Sequence, residues 1–258
     1  MNSNSIIHKD AQIGKNVSIG PFCQIGKNVT IGDNCKIYGN AFISGDVKIS
    51  NNVEIFPFVS IGTTPQDLKY KGEKTKIIIE ENCKIREYVT VNLGTKGGGG
   101  LTKIGKNCLL MIGTHIAHDC LVGDNVIFAN HSTLAGHVIV ENNVVVGALS
   151  AIHQFSRIGE GAMIGGMSGV TADVIPFTTV MGNRAKLSGL NLVGLKRNNY
   201  KKQEINQLRK VFKFLFYSKN QTLDSRTEKI RKEKGNYYTV NKLLDFLSEK
   251  SRRSFCMP

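Results

Sequence analysis

Aliphatic residues recur at every sixth position along most of this chain, in three runs. The positions are Ile13, Ile19, Ile25, Ile31, Ile37, Ile43, Ile49, Ile55 and Ile61; then Ile79, Ile85 and Val91; then Ile104, Leu110, Ile116, Val122, Phe128, Leu134, Val140, Val146, Ile152, Ile158, Ile164 and Val170. A period of six fits neither the 3.6-residue turn of a helix nor the alternation of an ordinary strand. It is typical of a hexapeptide-repeat parallel β-helix, in which each hexad forms one side of a coil.

A second small or apolar position follows four residues after the first. Five of the six cysteines occupy it, namely Cys23, Cys35, Cys83, Cys108 and Cys120, whereas Cys256 lies outside the repeat. A free cysteine packs as a small hydrophobe, and the chain contains no Cys-x-x-Cys pair. The sequence therefore predicts inward-facing structural cysteines rather than disulfides, metal ligands or nucleophiles.

Three hexads make a coil of 18 residues, so the 24 hexads predict eight stacked coils about 4.8 Å apart. Gly-Lys-Asn and Gly-Asp-Asn triplets are expected at the corners, where the backbone turns. The breaks in the repeat predict two loops that leave the coils, near 63-76 and near 94-102. Loops that project from a rigid scaffold are candidate functional elements.

The pattern decays after Val170, and Pro176 is expected to mark the exit from the coils. Helical periodicity then predicts helices near 191-197, 201-217, 222-233 and 237-249. The predicted domains are a mostly β prism over 1-189 and an α-helical domain over 190-258. We expect the helices to pack against the prism or against a neighbouring subunit.

Positive charge is concentrated in the predicted helical domain. The formal net charge of the chain is +14, and residues 190-258 carry 17 Lys and Arg against 6 Asp and Glu. A basic surface favours an anionic partner, but no helix-turn-helix signal or set of stacking aromatics indicates nucleic acid. The sequence also shows neither a signal peptide nor a membrane span, which predicts a cytoplasmic protein.

Counting in steps of 18 residues brings four of the six histidines to one edge of neighbouring coils. His118 falls beside His137, and His137 falls two residues from His153; His115 lies three residues before His118. His131 is expected on a different face, and His8 is remote. Such a cluster is not needed for packing, and it suits either general-base catalysis or metal binding.

The motifs resemble those of the UDP-N-acetylglucosamine acyltransferases of lipid A biosynthesis. The resemblance covers essentially the whole chain. It rests on His115-Ile-Ala-His-Asp-Cys120, Leu134-Ala-Gly-His137, His153-Gln-Phe155, Pro65-Gln-Asp-Leu-Lys-Tyr70 with Gly72-Glu73, Arg86-Glu87, Leu101-Thr102 and Gly194-Leu-Lys-Arg197.

This resemblance implies a left-handed β-helix that forms a homotrimer with active sites between subunits. It implies transfer of an (R)-3-hydroxyacyl group from acyl carrier protein to the 3-hydroxyl of UDP-N-acetylglucosamine, without a cofactor or a metal. His118 would be the general base, Asp119 its electrostatic support, and the Gly136 N–H an oxyanion donor. Substrate would contact Asp67, Lys69, His115, His137, His153, Gln154, Asn191 and Arg197.

Three positions depart from better-known members of that family. Val193 stands where an acidic residue is common and Asn198 where an arginine is, which leaves fewer predicted nucleotide contacts in the helical domain. Arg184 stands where a histidine is common. Gly166 matches the residue that limits acyl length; because glycine leaves the groove open, we expect a chain of roughly myristoyl length.

Other functions remain open at the level of the sequence. They are N-acyl or acetyl transfer by another hexapeptide acyltransferase, a zinc carbonic anhydrase, and a scaffold without catalysis. The N-acyltransferase of the same pathway carries an additional N-terminal domain, for which the hexads beginning at Ile13 leave no room.

Overall fold

The computed structural model describes residues 4–218, 221–233 and 237–258. Short strands stack into three sheets, and the chain passes from the first to the second to the third sheet and back in each coil. The first sheet contains β1 (Ile6–Ile7), β4 (Gln24–Ile25), β7 (Phe42–Ile43), β10 (Ser60–Thr63), β13 (Thr90–Asn92), β16 (His115–Ile116), β19 (Thr133–Leu134), β22 (Ala151–Ile152) and β25 (Gly169–Val170).

The second sheet contains β2 (Gln12–Ile13), β5 (Val29–Ile31), β8 (Asp46–Ile49), β11 (Lys76–Ile79), β14 (Leu101–Ile104), β17 (Leu121–Val122), β20 (Ile139–Val140) and β23 (Arg157–Ile158). The third sheet contains β3 (Ser18–Ile19), β6 (Lys36–Ile37), β9 (Glu54–Ile55), β12 (Lys84–Ile85), β15 (Leu109–Leu110), β18 (Ile127–Phe128), β21 (Val145–Val146), β24 (Met163–Ile164), β26 (Thr178–Met181) and β27 (Lys186–Leu190).

The repeated aliphatic positions form the core of the prism. Ile43, Ile55 and Ile61 are fully buried, and each pairs in register with its equivalent one coil away, as Ile43 does with Ile61. All six cysteines are buried and free. The predicted period and the predicted inward cysteines are therefore confirmed.

Asparagine turns the chain at the corner between the second and third sheets, which we call corner II (residues 105–108, 123–126, 141–144 and 159–162). Asn107, Asn125 and Asn143 all have φ between 56° and 60°, a left-handed conformation that asparagine tolerates better than most residues. Their side chains form a ladder, with Asn107 Nδ2 donating to Asn125 Oδ1 at 3.1 Å.

Both predicted loops leave the prism at the corner between the first and second sheets. We call this corner I; it contains residues 117–120, 135–138 and 153–156. The first loop spans residues 64–75 between β10 and β11, and the second spans residues 93–100 between β13 and β14. Ile61 still pairs with Val91, and Val91 with Ile116, although the pairing of β10 with β13 shifts by one residue between Ile61 and Thr63.

The third sheet extends beyond the expected exit at Pro176. Strand β26 follows this proline and continues the parallel stack, and β27 then pairs with it in antiparallel orientation. The β structure ends at Leu190, and the helices are α1 (Leu192–Arg197), α2 (Lys202–Tyr217), α3 (Leu223–Glu233) and α4 (Tyr238–Ser248). None of these described helices has the length and apolarity needed to cross a membrane.

The helices pack against corner II and the second sheet through polar contacts to buried or half-buried carboxylates. Tyr238 Oη donates to Glu160 Oε2 at 2.7 Å, and Lys242 Nζ lies 3.1 Å from Glu141 Oε1. After α4 the chain returns to the prism, where Asp173 forms a β-bridge with Phe255. The expected packing of the helices on the prism is confirmed.

Candidate active site

His118 and Asp119 form a hydrogen-bonded pair at corner I. His118 Nδ1 lies 2.8 Å from Asp119 Oδ2, and the side chain of Asp119 is fully buried. A carboxylate can only accept this hydrogen bond, so His118 carries its proton on Nδ1. Nε2 is consequently left with a lone pair, which is the form that a general base requires.

The second loop holds the Asp119 carboxylate in place. The backbone N–H of Thr95 donates to Oδ1 at 2.9 Å, and its hydroxyl donates to Oδ2 at 2.6 Å. A Cβ on Gly98 would lie 2.1 Å from Cγ of Asp119. The loop can approach this closely because residue 98 has no side chain, and its excursion thereby fixes the orientation of His118.

Gly136 makes room for the His118 ring. A Cβ at this position would lie 2.6 Å from His118 Nε2 and 2.5 Å from Cε1. Among the described residues, no acceptor is bonded to the Gly136 N–H, although the Ala135 N–H donates to the Ile152 carbonyl of the following coil and the His137 N–H to the His118 carbonyl of the preceding coil. An unpaired backbone N–H beside the free nitrogen of an imidazole is a candidate oxyanion donor.

His137 lies between the His118–Asp119 pair and an aromatic ring. Its ring lies 4.4 Å from that of Phe155, nearly parallel, and meets His118 edge-on at 4.9 Å. Asp119, His137 and Phe155 follow one another at intervals of 18 residues, all with left-handed φ. Burial lowers the pKa of His137, and the nearby Asp119 carboxylate opposes that shift only in part.

His115 approaches the pair from the first sheet. Its Nδ1 lies 2.7 Å from the hydroxyl of Thr90. Burial lowers the pKa of His115, and His118 lowers it further. Since His115 and His137 both favour the neutral form, no imidazolium adjoins His118 at neutral pH.

His153 and Gln154 lie at the same corner one coil further on, but they face the C-terminal segment. His153 Nδ1 is 2.6 Å from Arg253 Nη2, and Arg253 Nε donates to the Gln154 carbonyl at 3.1 Å. The four predicted histidines therefore lie along one edge. Within that set, the rings of His118 and His137 are in contact, whereas His131 lies at a different corner beside Gly113.

A cleft of about 1020 Å³ opens beside His137. Both loops, the outer face of the second sheet and residues 250–252 bound it, and the predicted substrate contacts Asp67 and Lys69 line it. Asp67 Oδ1 accepts from the backbone N–H of Lys69 at 2.9 Å, which shapes this part of the first loop.

The remaining predicted site residues lie at other corners of the same chain. Asn191 caps α1 by accepting from the Gly194 N–H at 2.9 Å and donates to the Gly161 carbonyl at corner II. Arg197 is exposed in the last turn of α1. Gly166 lies at the corner between the third and first sheets, which we call corner III (residues 20–23, 56–59, 86–89, 147–150 and 165–168).

The donor atoms of His118, Asp119 and His137 lie within 4.8 Å of one another, close enough in principle to share a metal ion. The hydrogen bonds that His118 and Asp119 already make oppose metal binding. Asp119 Oδ2 already accepts from Thr95 and from His118 Nδ1, and a metal on that nitrogen would displace its proton. The contacts therefore suit a histidine–carboxylate pair better than a metal site.

Four residues of this site were not predicted from the sequence as site residues. Phe155 lies 18 residues after His137, so the repeat itself could have identified it. Thr95 comes from a loop without periodicity, and Arg252 and Arg253 approach from nearly 100 residues away in the chain. No spacing in the sequence signals those contacts.

Family models match both parts of the chain. Residues 10–45 and 101–136 match the bacterial transferase hexapeptide repeat, so the fold and the histidine corner define a hexapeptide-repeat transferase. Residues 173–256 match the second domain of UDP-N-acetylglucosamine O-acyltransferase.

Relatives along the full length identify the family. A protein of Aliarcobacter butzleri named acyl-[acyl-carrier-protein]–UDP-N-acetylglucosamine O-acyltransferase is 50% identical over 98% of this chain and 96% of its own. The structure of LpxA from Acinetobacter baumannii superposes with a TM-score of 0.94 at 41% identity, covering 98% of each chain. The structure of UDP-N-acetylglucosamine acyltransferase from Campylobacter jejuni superposes with a TM-score of 0.94 at 38% identity, covering 100% of this chain and 99% of the other.

This chain belongs to the acyl-[acyl-carrier-protein]–UDP-N-acetylglucosamine O-acyltransferase family. Its fold is a left-handed parallel β-helix followed by helices, as the sequence predicted.

Proposed function

We propose that this chain transfers an (R)-3-hydroxyacyl group from acyl carrier protein to the 3-hydroxyl of UDP-N-acetylglucosamine, the first step of lipid A biosynthesis. The observation that carries the proposal is the orientation of His118, whose Nδ1 is bonded to buried Asp119 while Nε2 lies over Gly136. The two substrates are inferred from the family to which the chain belongs.

His118 acts as the general base. Its Nε2 takes the proton of the sugar hydroxyl as the oxygen attacks the thioester carbonyl, and Asp119 stabilises the imidazolium that forms. The nearby His115 and His137 have lowered pKa values and stay neutral, so they do not oppose the developing charge.

The Gly136 N–H stabilises the tetrahedral oxyanion. Collapse of this intermediate forms the ester and breaks the carbon–sulfur bond, and the proton held on His118 Nε2 passes to the departing phosphopantetheine thiolate. These reaction steps require no covalent enzyme intermediate, no cofactor and no metal. A preorganised N–H donor of this kind contributes about 3 kcal/mol to lowering the barrier in acyl-transfer enzymes.

Residues around the His118–Asp119 pair bind the substrates in this proposal. Asp67 and Lys69 in the cleft, together with His115 and His137, bind the sugar and the phosphates, and His153 and Gln154 extend this surface along corner I. Asn191 and Arg197 bind the nucleotide, with the contacts of Asn191 weakened by its use as the cap of α1.

We propose a homotrimer, because the predicted nucleotide contacts and the proposed base lie at different corners of one chain. Asn191 lies at corner II, whereas His118 lies at corner I, so a neighbouring copy has to supply the nucleotide contacts. Corner III also exposes a column of large apolar side chains, which marks an interaction surface: Phe22, Phe58, Tyr88, Leu149 and Met167. Sedimentation analysis tests this point, and a monomer in solution would contradict it.

The other partner is acyl carrier protein, and the proposed location is the cytoplasm, where both substrates would be available. The basic helical region is suited to an acidic carrier protein. Nucleic acid is not a proposed partner.

A direct test combines the protein with acyl carrier protein derivatives of several chain lengths and UDP-N-acetylglucosamine. Mass spectrometry should detect the 3-O-acyl product with release of free carrier thiol. A parallel reaction with the 3-amino analogue of the sugar separates O-acyl from N-acyl transfer. No product from either acceptor would contradict the proposal, and zinc at one ion per subunit in purified protein would favour the metal alternative.

A further inference from the structure

The C-terminal segment places an arginine with no polar partner at the edge of the cleft. The Arg252 guanidinium lies 4.5 Å over the ring of Phe155, which is itself stacked on His137. In the described parts of the chain, no hydrogen bond or ion pair occupies the N–H groups of Arg252. Two other arginines in this region do have polar partners: Arg157 is paired with Asp173, and Arg253 contacts His153.

Contacts on both sides hold this segment in position. Before it, Glu249 accepts from buried Arg157 at 2.8 Å. After it, the Ser254 carbonyl accepts from the Asp173 N–H, and the Cys256 N–H donates to the Asp173 carbonyl, both at 2.8 Å. Arg252 thus lies on a short tether between two anchors, with its ring contact limiting the directions that the guanidinium can take.

The cleft around Arg252 is rich in positive charge. Its lining contains six cationic side chains, Lys69, Lys71, Lys96, Arg157, Lys250 and Arg252, against the two acidic residues Asp67 and Glu73. A guanidinium offers a planar fork of donors that matches a phosphate or a carboxylate bidentately, and it remains charged at any accessible pH. Stacking on an aromatic ring leaves the edge of this fork available.

We propose that Arg252 binds a phosphate group of a substrate in this cleft. The inference rests on the proposed function, in which both substrates carry phosphate: the sugar nucleotide has a pyrophosphate, and the carrier protein has the phosphodiester of its phosphopantetheine. The shared chemistry is a phosphate oxygen pair facing the guanidinium edge, and the experiment separates the two sources.

Titration calorimetry with inorganic pyrophosphate tests the site without relying on turnover. Loss of a charge-assisted hydrogen bond should weaken binding about tenfold in Arg252→Gln. Arg252→Lys should recover part of the loss, because lysine keeps the charge but not the fork. The matched control is Lys229→Gln, which removes an exposed cation of α3 that lies outside the cleft, over the Phe214 ring of α2.

Steady-state kinetics then identify the source of the phosphate. A rise of about tenfold in KM for UDP-N-acetylglucosamine assigns Arg252 to the pyrophosphate, and the same rise for the acyl carrier protein assigns it to the phosphodiester. The proposal is overturned if wild type and Arg252→Gln bind pyrophosphate equally, if wild type does not bind it, or if neither KM changes. Failure of the proposed function would instead appear as lack of turnover in wild type with pyrophosphate binding intact.

Discussion

A glycine and a histidine share the space in which the proposed base acts. The His118 ring lies where a side chain at residue 136 would project, and it is hydrogen-bonded to Asp119, which Thr95 holds in turn. The reactive nitrogen therefore has little freedom to move, which preorganises it for proton transfer.

Gly136→Ala should lower kcat about 100-fold, because an added Cβ 2.6 Å from Nε2 forces the imidazole to move by a fraction of its own width. The KM for UDP-N-acetylglucosamine and the melting temperature should change little, since the backbone of residue 136 has no left-handed φ. Steady-state kinetics and thermal denaturation check both expectations. A wild-type kcat would show that Nε2 works from another position.

Gly166 is the position at which we propose that the length of the acyl chain is limited. A Cβ there would meet only the Ala148 backbone, at 3.3 Å from its oxygen, so larger side chains would project into the space beyond. We expect wild type to prefer roughly fourteen carbons and Gly166→Met to prefer about ten, since a filled apolar pocket excludes the distal methylenes. Competition between carrier proteins loaded with the two chains measures this, and preference of wild type for the ten-carbon donor would refute it.

At the scale of elements, the helices are attached to the prism through a buried carboxylate. Glu160 accepts from Tyr238 and from Tyr200, at 2.7 and 3.1 Å. Burial and then Glu160 raise the pKa of both tyrosines, so both remain donors at neutral pH. This junction joins α4 and the segment before α2 to corner II.

Tyr238→Phe should destabilise the protein by about 1 kcal/mol, because it removes one of two donors to a buried carboxylate. The corresponding fall in melting temperature is about 2–4 °C. Tyr217→Phe, which alters an exposed tyrosine of α2, is the matched control and should melt like wild type. Equal melting of all three proteins would mean that Tyr200 alone is sufficient to satisfy Glu160.

The coils could be predicted from the sequence because a solenoid repeats its contacts at a fixed spacing. The same spacing aligned His118 with His137, and it would have identified Phe155. It could not locate Thr95 or Arg252, since a loop and a returning C-terminal segment contact the corner through chain that has no period. Strand β26 was missed because Pro176 occupies a turn before the strand rather than ending the sheet.

In the molecule as a whole, the proposed catalytic residues and most of the net positive charge lie in different parts of the chain. The histidine corner belongs to the prism, whereas most of the net positive charge belongs to the helical region. Such a distribution favours capture of an acidic partner at the helices and reaction at the neighbouring corner.

Charge reversal of Lys201, Lys202 and Lys210 to glutamate should raise the KM for acyl carrier protein several-fold at low ionic strength and less in high salt. All three residues are exposed at the start and middle of α2. The same reversal at Lys15, Lys36 and Lys48, which are exposed in the first coils, changes the net charge equally and should have little effect. An identical KM for both triple variants would count against a docking surface on the helices.

We propose that His118 is the base of the acyl transfer, and a thioester-consumption assay with UDP-N-acetylglucosamine tests this role. His118→Ala should reduce kcat by about 100-fold or more, while His8→Ala, a remote exposed histidine, should retain wild-type turnover, and both should keep the wild-type oligomeric state. Near-normal turnover by folded His118→Ala would show that His118 is not the base.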